Sequence, residues 1–211
     1  MDPQSTYDRI ADHLAATREY AWPEVTTFLE DRTTDRALDI GCGNGRHTEL
    51  LAARARLAVG VDLSHGLLDA AVARARERGF ADATGFVHGD AARLPIATDA
   101  VGLATYVATL HHLSPRAARV ASLSELSRVL RPGGAGLVSV WSTAHDRFDR
   151  ETGFDTTVDW TLPGGETVPR YYHIYDPDEF AADLAASDLV TEDVTGSSGN
   201  CYPVVHPPPK E

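Results

Sequence analysis

Apolar and polar residues along this chain fall into two alternating patterns. Short apolar runs, bounded by Gly, Pro and Asp, predict strands at about 36–40, 57–62, 84–88, 100–106 and 135–141. Between them, apolar residues recur every three or four positions, the spacing of a helix with one buried face. One helix follows the first run to about residue 55. Ser64 can cap a second, which runs to Arg78 and stops at Gly79. Ser114-Pro115 opens a third, which runs to Leu130 and ends at Pro132-Gly133-Gly134. Residues 1–30 read as a helical cap, with Ile10, Leu14, Val25, Phe28 and Leu29 as core positions and a break at Pro23. Residues 142–170, with Pro163-Gly164-Gly165 and Pro169, read as irregular, the body of an inserted flap (142–172) over the site. Asp176-Pro177 opens a helix to about Ser187. Strands near 189–195 and 200–205 close the chain as a hairpin, and residues 206–211 form a frayed tail. The alternation predicts an α/β fold in one domain: a seven-stranded, mostly parallel sheet with helices on both faces.

One turn carries candidate chemistry. The first run ends in Asp39-Ile40 and breaks into Gly41, Cys42, Gly43, Asn44 and Gly45. Glycines let a backbone turn tightly and lie close to a ligand. A helical pattern follows, so the loop feeds a helix N-terminus with free amide donors. About 21 residues after Gly41 a second run ends in Asp62, whose carboxylate can take two hydrogen bonds from a ribose.

Three details separate this loop from a dinucleotide site. The glycine spacing is GxGxG. Asp39 sits two residues before the first glycine, where it would repel a pyrophosphate and attract an ammonium or sulfonium centre. The third run ends in Gly89-Asp90-Ala91, which can offer a carboxylate and an amide to an adenine edge. Adenine, ribose, an amino-acid end and a cationic sulfur together describe S-adenosylmethionine. In an open sheet the ligand cleft lies beyond the C-terminal strand ends, so Asp39, Asp62, Asp90 and residues 109–113 should converge there.

Composition narrows the partners. The chain has 211 residues and a formal net charge of −12, and Lys210 is its one lysine beside eighteen arginines. Such a balance resembles the proteomes of salt-loving organisms. An acidic surface disfavours RNA, but molar salt shortens the Debye length to about 3 Å, leaving local arginines, stacking and shape to do the binding. No apolar run reaches the roughly 18 residues of a membrane helix. The first residues lack the basic and apolar parts of a signal peptide. Cys42 and Cys201 fit a reducing cytoplasm and show no metal-ligand spacing, and His111 and His112 are adjacent, so no metal is expected.

The blocks LDIGCGNG, VGVDLS, GDAARLP and LSRVLRPGG resemble the ordered signature of class I S-adenosylmethionine-dependent methyltransferases. The resemblance implies a Rossmann-like sheet and a donor pocket built from Asp39, Gly41, Cys42, Gly43, Asp62, Leu63, Asp90, Ala91 and Val107. Outside those blocks, Tyr7-Asp8-Arg9-Ile10-Ala11-Asp12-His13 with Thr17-Arg18 and Trp22-Pro23 is distinctive. So are Leu110-His111-His112-Leu113, the Val168 to Tyr175 segment, and Gly199-Asn200-Cys201-Tyr202. Together these are similar to the archaeal and eukaryotic tRNA methyltransferases that esterify 5-carboxymethyluridine at the wobble position. The chain departs from that family's pattern at Val101-Gly102, where Phe-Asp is usual, and at GNGR, where GNGK is common.

From this resemblance His13, Arg18, His112, Arg170, Tyr172 and His173 are the candidate acceptor-side residues. Arginine can grip a carboxylate in two prongs. Histidine and tyrosine can orient the attacking oxygen or stack on a base. Trp22 and Trp141 read as packing residues. The resemblance also implies a tRNA anticodon stem-loop as substrate, and a small zinc-binding activator protein as partner. That partner is expected at the edge strand, against Gly85, Phe86, Val87 and His88. Two other readings compete. One is a small-molecule methyltransferase acting on a quinone precursor or an acid; the Arg170-Tyr171-Tyr172-His173 block argues against it. The other is a non-catalytic donor-binding protein; the intact acids and loop argue against that.

Overall fold

A computed structural model describes residues 2–197 and 199–209. The sheet order is β3-β2-β1-β4-β5-β9-β8. Its strands are β1 (Thr34–Ile40), β2 (Ala55–Asp62), β3 (Thr84–His88), β4 (Val101–Val107), β5 (Leu130–Trp141), β8 (Val190–Ser197) and β9 (Asn200–His206). The first five pair in parallel, and β9 and β8 add in antiparallel fashion. The seven-stranded, mostly parallel sheet of the sequence reading is therefore present. Its order reverses between β1 and β4, and the crevice at that point receives the ends of both strands.

Helices cover both faces. One core cluster joins Leu38, Tyr106 and Val138 of the sheet to Leu123 and Leu126 of α5 (Arg116–Val129) and to Phe180 and Leu184 of α6 (Pro177–Ala185). The other joins Ala37, Leu103 and Leu137 to Val25 and Phe28 of α2 (Pro23–Leu29) and to Leu51 of α3 (Arg46–Ala52). The cap helix α1 (Pro3–Ala16) packs on α4 (His65–Glu77). Ser64 caps α4 as expected, accepting the Leu67 amide at 3.2 Å.

Several boundaries depart from the sequence reading. Residues 17–22 leave the helical path before Pro23, and Pro23 starts α2 rather than breaking a helix. Helix α3 ends at Ala52, short of residue 55. Helix α5 stops at Val129 and β5 begins at once, because Leu130 turns extended (φ −68°, ψ 127°) and buries in the core.

The larger correction concerns residues 142–170. They are not irregular throughout: β6 (Phe154–Thr161) and β7 (Thr167–Ile174) form a separate antiparallel hairpin. It closes on Leu162–Glu166, where the Glu166 carbonyl accepts the Leu162 amide at 2.8 Å. At the other end, His206 completes β9 rather than fraying. Residues 207–209 lack regular structure, and the last two residues of the expected tail lie outside the described part of the chain.

Candidate active site

A cleft of about 810 Å³ opens at the C-terminal ends of β1, β2 and β4. Gly41, Cys42, Gly43, Asp62, Leu63, Asp90, Ala91 and Val107 all line it. Gly41 and Gly43 have positive φ (68° and 54°), which other residues resist. A Cβ at Gly41 would collide with Thr109, whereas one at Gly43 would meet nothing within 4 Å. The Gly43 position is therefore open to a ligand lying against the backbone.

Asp62 closes the loop. Its Oδ2 accepts the Gly43 amide at 2.8 Å and its Oδ1 accepts the Ser64 amide at 2.9 Å. Burial raises its pKa, and those amides pull the other way. The carboxylate keeps acceptor capacity beyond these amides, which fits a ribose hydroxyl. Asp90 binds the Ala92 amide at 2.8 Å, fixing the turn that brings Ala91 to the cleft.

Asp39 stands elsewhere. It does not line the cleft and is 1% exposed. Thr48 Oγ1 donates to its Oδ2 at 2.6 Å and Thr105 Oγ1 to its Oδ1 at 2.8 Å. Burial lifts its pKa to about 6. It ties β1 to α3 and β4, and its charge does not face the cleft as the sequence reading expected.

Of the acceptor-side candidates, Arg18, His112, Arg170 and Tyr172 line the cleft, and His13 and His173 do not. Strand alternation explains His173. Arg170 and Tyr172 share one face of β7, so Tyr171 and His173 take the other. There both bond Asp155 at 2.7 Å, and His173 Nε2 meets Glu179 at 2.9 Å. His13 Nδ1 instead accepts the Trp160 indole N–H at 3.1 Å.

The two neighbouring histidines are fixed in opposite tautomers. The Trp141 amide donates to His111 Nδ1 at 3.1 Å, so the proton sits on Nε2. His112 Nδ1 donates to the Tyr171 carbonyl at 2.9 Å, which leaves Nε2 as an acceptor. Burial pushes the pKa of His112 down to about 4 and that of His111 well below the usual range, so both are neutral near pH 7.

Arg170 is 8% exposed and forms no ion pair among the described residues. It contacts the hydroxyls of Tyr7 and Tyr172. Its Nε has no hydrogen-bond partner. Arg18, Arg46 and Arg147 also line the cleft without an ion pair among the described residues. Each stacks on an aromatic ring: Arg18 on Trp160 (5.3 Å), Arg46 on Trp22 (5.5 Å) and Arg147 on Trp141 (5.7 Å). Four arginines and three tryptophans thus line the cleft of a strongly acidic chain. Trp22 and Trp141, read from sequence as packing residues, are cleft walls.

Tyr7, Asn44 and Trp160 escaped the candidate set. Asn44 donates to the carbonyls of Ala15 (3.0 Å) and Arg18 (2.9 Å), fastening the glycine loop to the segment that carries Arg18. Its place inside the GCGNG run was the available signal.

Known proteins are similar to this chain in sequence and in fold. A family model described as a methyltransferase domain matches residues 37–134. A chain of Encephalitozoon cuniculi named as a methyltransferase is 34% identical over 177 residues, covering 80% of this chain and 78% of that one. The tRNA (carboxymethyluridine(34)-5-O)-methyltransferase of Arabidopsis thaliana is 35% identical over 141 residues. That match covers 66% of this chain and 32% of the plant protein, so the chain spans about a third of that relative's length. Among solved structures, the fold is similar to a chain of the complex between the Haloferax volcanii Trm112 methyltransferase activator and a methyltransferase. The TM-score is 0.74 at 14% identity, covering 100% of this chain and 99% of that one, a likeness of fold alone. On the 34% identity to a relative matched over 78% of its length, and on the sheet and loop that carry the cleft, the chain belongs to the class I S-adenosylmethionine-dependent methyltransferases.

Proposed function

We propose that this chain methylates the carboxylate of 5-carboxymethyluridine at the tRNA wobble position. One observation carries the reading: Arg170 is a buried cation facing the cleft with no carboxylate partner among the described residues. A buried guanidinium held only by hydroxyls and ring faces lacks an ion-pair partner, and an anionic substrate group would supply one. The relatives named for carboxymethyluridine esterification support the same acceptor. The arginines and tryptophans lining the cleft suit the phosphates and unstacked bases of an anticodon loop.

When bound, S-adenosylmethionine supplies an electrophilic methyl group. Asp62 would hold its ribose, Asp90 and Ala91 would face its adenine, and the Gly41–Gly43 backbone would follow its amino-acid end. A carboxylate is already ionised near pH 7, so no base has to remove a proton. The neutral His111 and His112 fit that requirement. The chain's tasks are to grip the carboxylate through Arg170, orient it, and exclude water.

The reading includes a small zinc-binding activator at β3 and a cytoplasmic location. Strand β3 ends the sheet order, and Val87 on it is 36% exposed. A strand added there would cover an open edge.

The test is incubation with labelled S-adenosylmethionine, with and without the activator, on tRNA carrying or lacking carboxymethyluridine. Label on the carrying tRNA alone is expected. Label in a small metabolite instead, or donor binding without turnover, would overturn the reading.

A further inference from the structure

We infer that Trp160 is a positioning residue that sets both arginines of the acceptor site, making the β6–β7 hairpin a specificity element. The inference rests on the acceptor proposed above and assigns the part of the fold that selects it.

Trp160 sits on β6, half-buried at the cleft wall. Two guanidinium groups lie against its indole: Arg18 at 5.3 Å and Arg170 at 4.9 Å from the ring centroid. Arg18 comes from the segment after α1, Arg170 from β7. Both act on the Tyr172 hydroxyl. The indole N–H donates to His13 Nδ1 at 3.1 Å, which fixes the ring on the cap helix. One side chain therefore joins cap, hairpin and two like charges.

Like charges within roughly 10 Å repel unless screened or shared by an anion. The π face offsets part of that repulsion, and an anion facing both groups offsets more. The two cations differ in depth: Arg170 is buried and Arg18 half-exposed. That difference fits a ligand with two anionic groups at different depths. A base-linked carboxylate would reach Arg170, and a backbone phosphate would stay near Arg18. A small carboxylic acid would use Arg170 alone.

The test compares Trp160→Ala and Trp160→Phe in the full chain, with the activator present. The readouts are binding of an anticodon stem-loop RNA with 5-carboxymethyluridine against one with unmodified uridine, KM and kcat on the first, and donor affinity. Trp160→Ala should raise KM at least tenfold and erase most of the preference for the carboxylate-bearing RNA, with donor affinity within twofold of the parent. Trp160→Phe keeps a ring face and should recover most of the preference. Unchanged KM and preference in Trp160→Ala would overturn the inference, as would equal damage by both variants. Failure of the parent protein to methylate the carboxylate-bearing RNA would overturn the proposed function itself.

Discussion

The Tyr7 hydroxyl lies 2.9 Å from Nε2 of His112, across 105 positions of sequence. Because Nδ1 of the same ring donates to the Tyr171 carbonyl, Tyr7 is the donor in this pair. One chain of hydrogen bonds thus runs from α1 through the turn after β4 to the β6–β7 hairpin. Tyr7→Phe removes the donor from Nε2 of the half-buried His112, at a cost of roughly 0.5–1.5 kcal/mol. Denaturant melts should show that loss, and turnover on RNA should fall further than donor affinity. Equal stability and turnover would contradict the relay.

Methyl transfer should lack a histidine limb in its pH profile. Burial holds His112 at about 4 and His111 lower still, and carboxylate acceptors are ionised above about pH 5. A flat kcat/KM between about pH 6.5 and 8.5 is expected. A limb near pH 6.5 that His112→Gln abolishes would show that the ring titrates during catalysis.

Asp39 makes a stability prediction with a definite sign. Its folded pKa, about 6, lies above its ordinary value of 3.8. Its contribution is therefore fully present below about pH 4 and is lost as pH rises through about 6. Asn at this position cannot ionise. Asp39→Asn should gain stability relative to the parent as pH rises from about 4 to 7, by up to roughly 3 kcal/mol. Melts of both proteins across that range would show it, and a difference that shrinks with pH would contradict it. Donor affinity should change little, since Asp39 does not line the cleft.

Asp62 and Asn44 should separate donor from acceptor binding. Asp62→Ala frees the Gly43 and Ser64 amides and removes the ribose acceptor, so donor affinity should fall at least thirtyfold, about 2 kcal/mol. Asn44→Ala releases the Ala15 and Arg18 carbonyls, so KM for RNA should rise several-fold with a smaller change in donor affinity. Calorimetry with the donor and kinetics with RNA distinguish the two patterns. The same profile for both variants would count against the division.

Sequence made the sheet legible because its runs are apolar on both sides, as in β4, where every residue from Val101 to Val107 is buried. The loop residues were legible because glycine spacing and strand-end acids report backbone geometry directly. The hairpin was not: Phe154, Val158 and Trp160 fall on one face of β6, but the polar Thr156 interrupts their apolar alternation before Pro163-Gly164-Gly165. Its Pro and Gly residues, weighed as breakers, hid it. Other parts depend on tertiary contacts that no local pattern encodes. Asp39 turns inward because Thr48 and Thr105 meet it there. His13 and His173 leave the cleft because Trp160, Asp155 and Glu179 hold them elsewhere.

The central claim is that a methyl group lands on a carboxylate oxygen held by Arg170. Carboxymethyluridine-bearing anticodon RNA, methylated by the protein with its activator, can be treated with mild alkali and the released methanol measured. A methyl ester should release its label completely, and Arg170→Ala should abolish the alkali-labile product. Alkali-stable methylation on the base or ribose, or full ester formation by Arg170→Ala, would contradict the account.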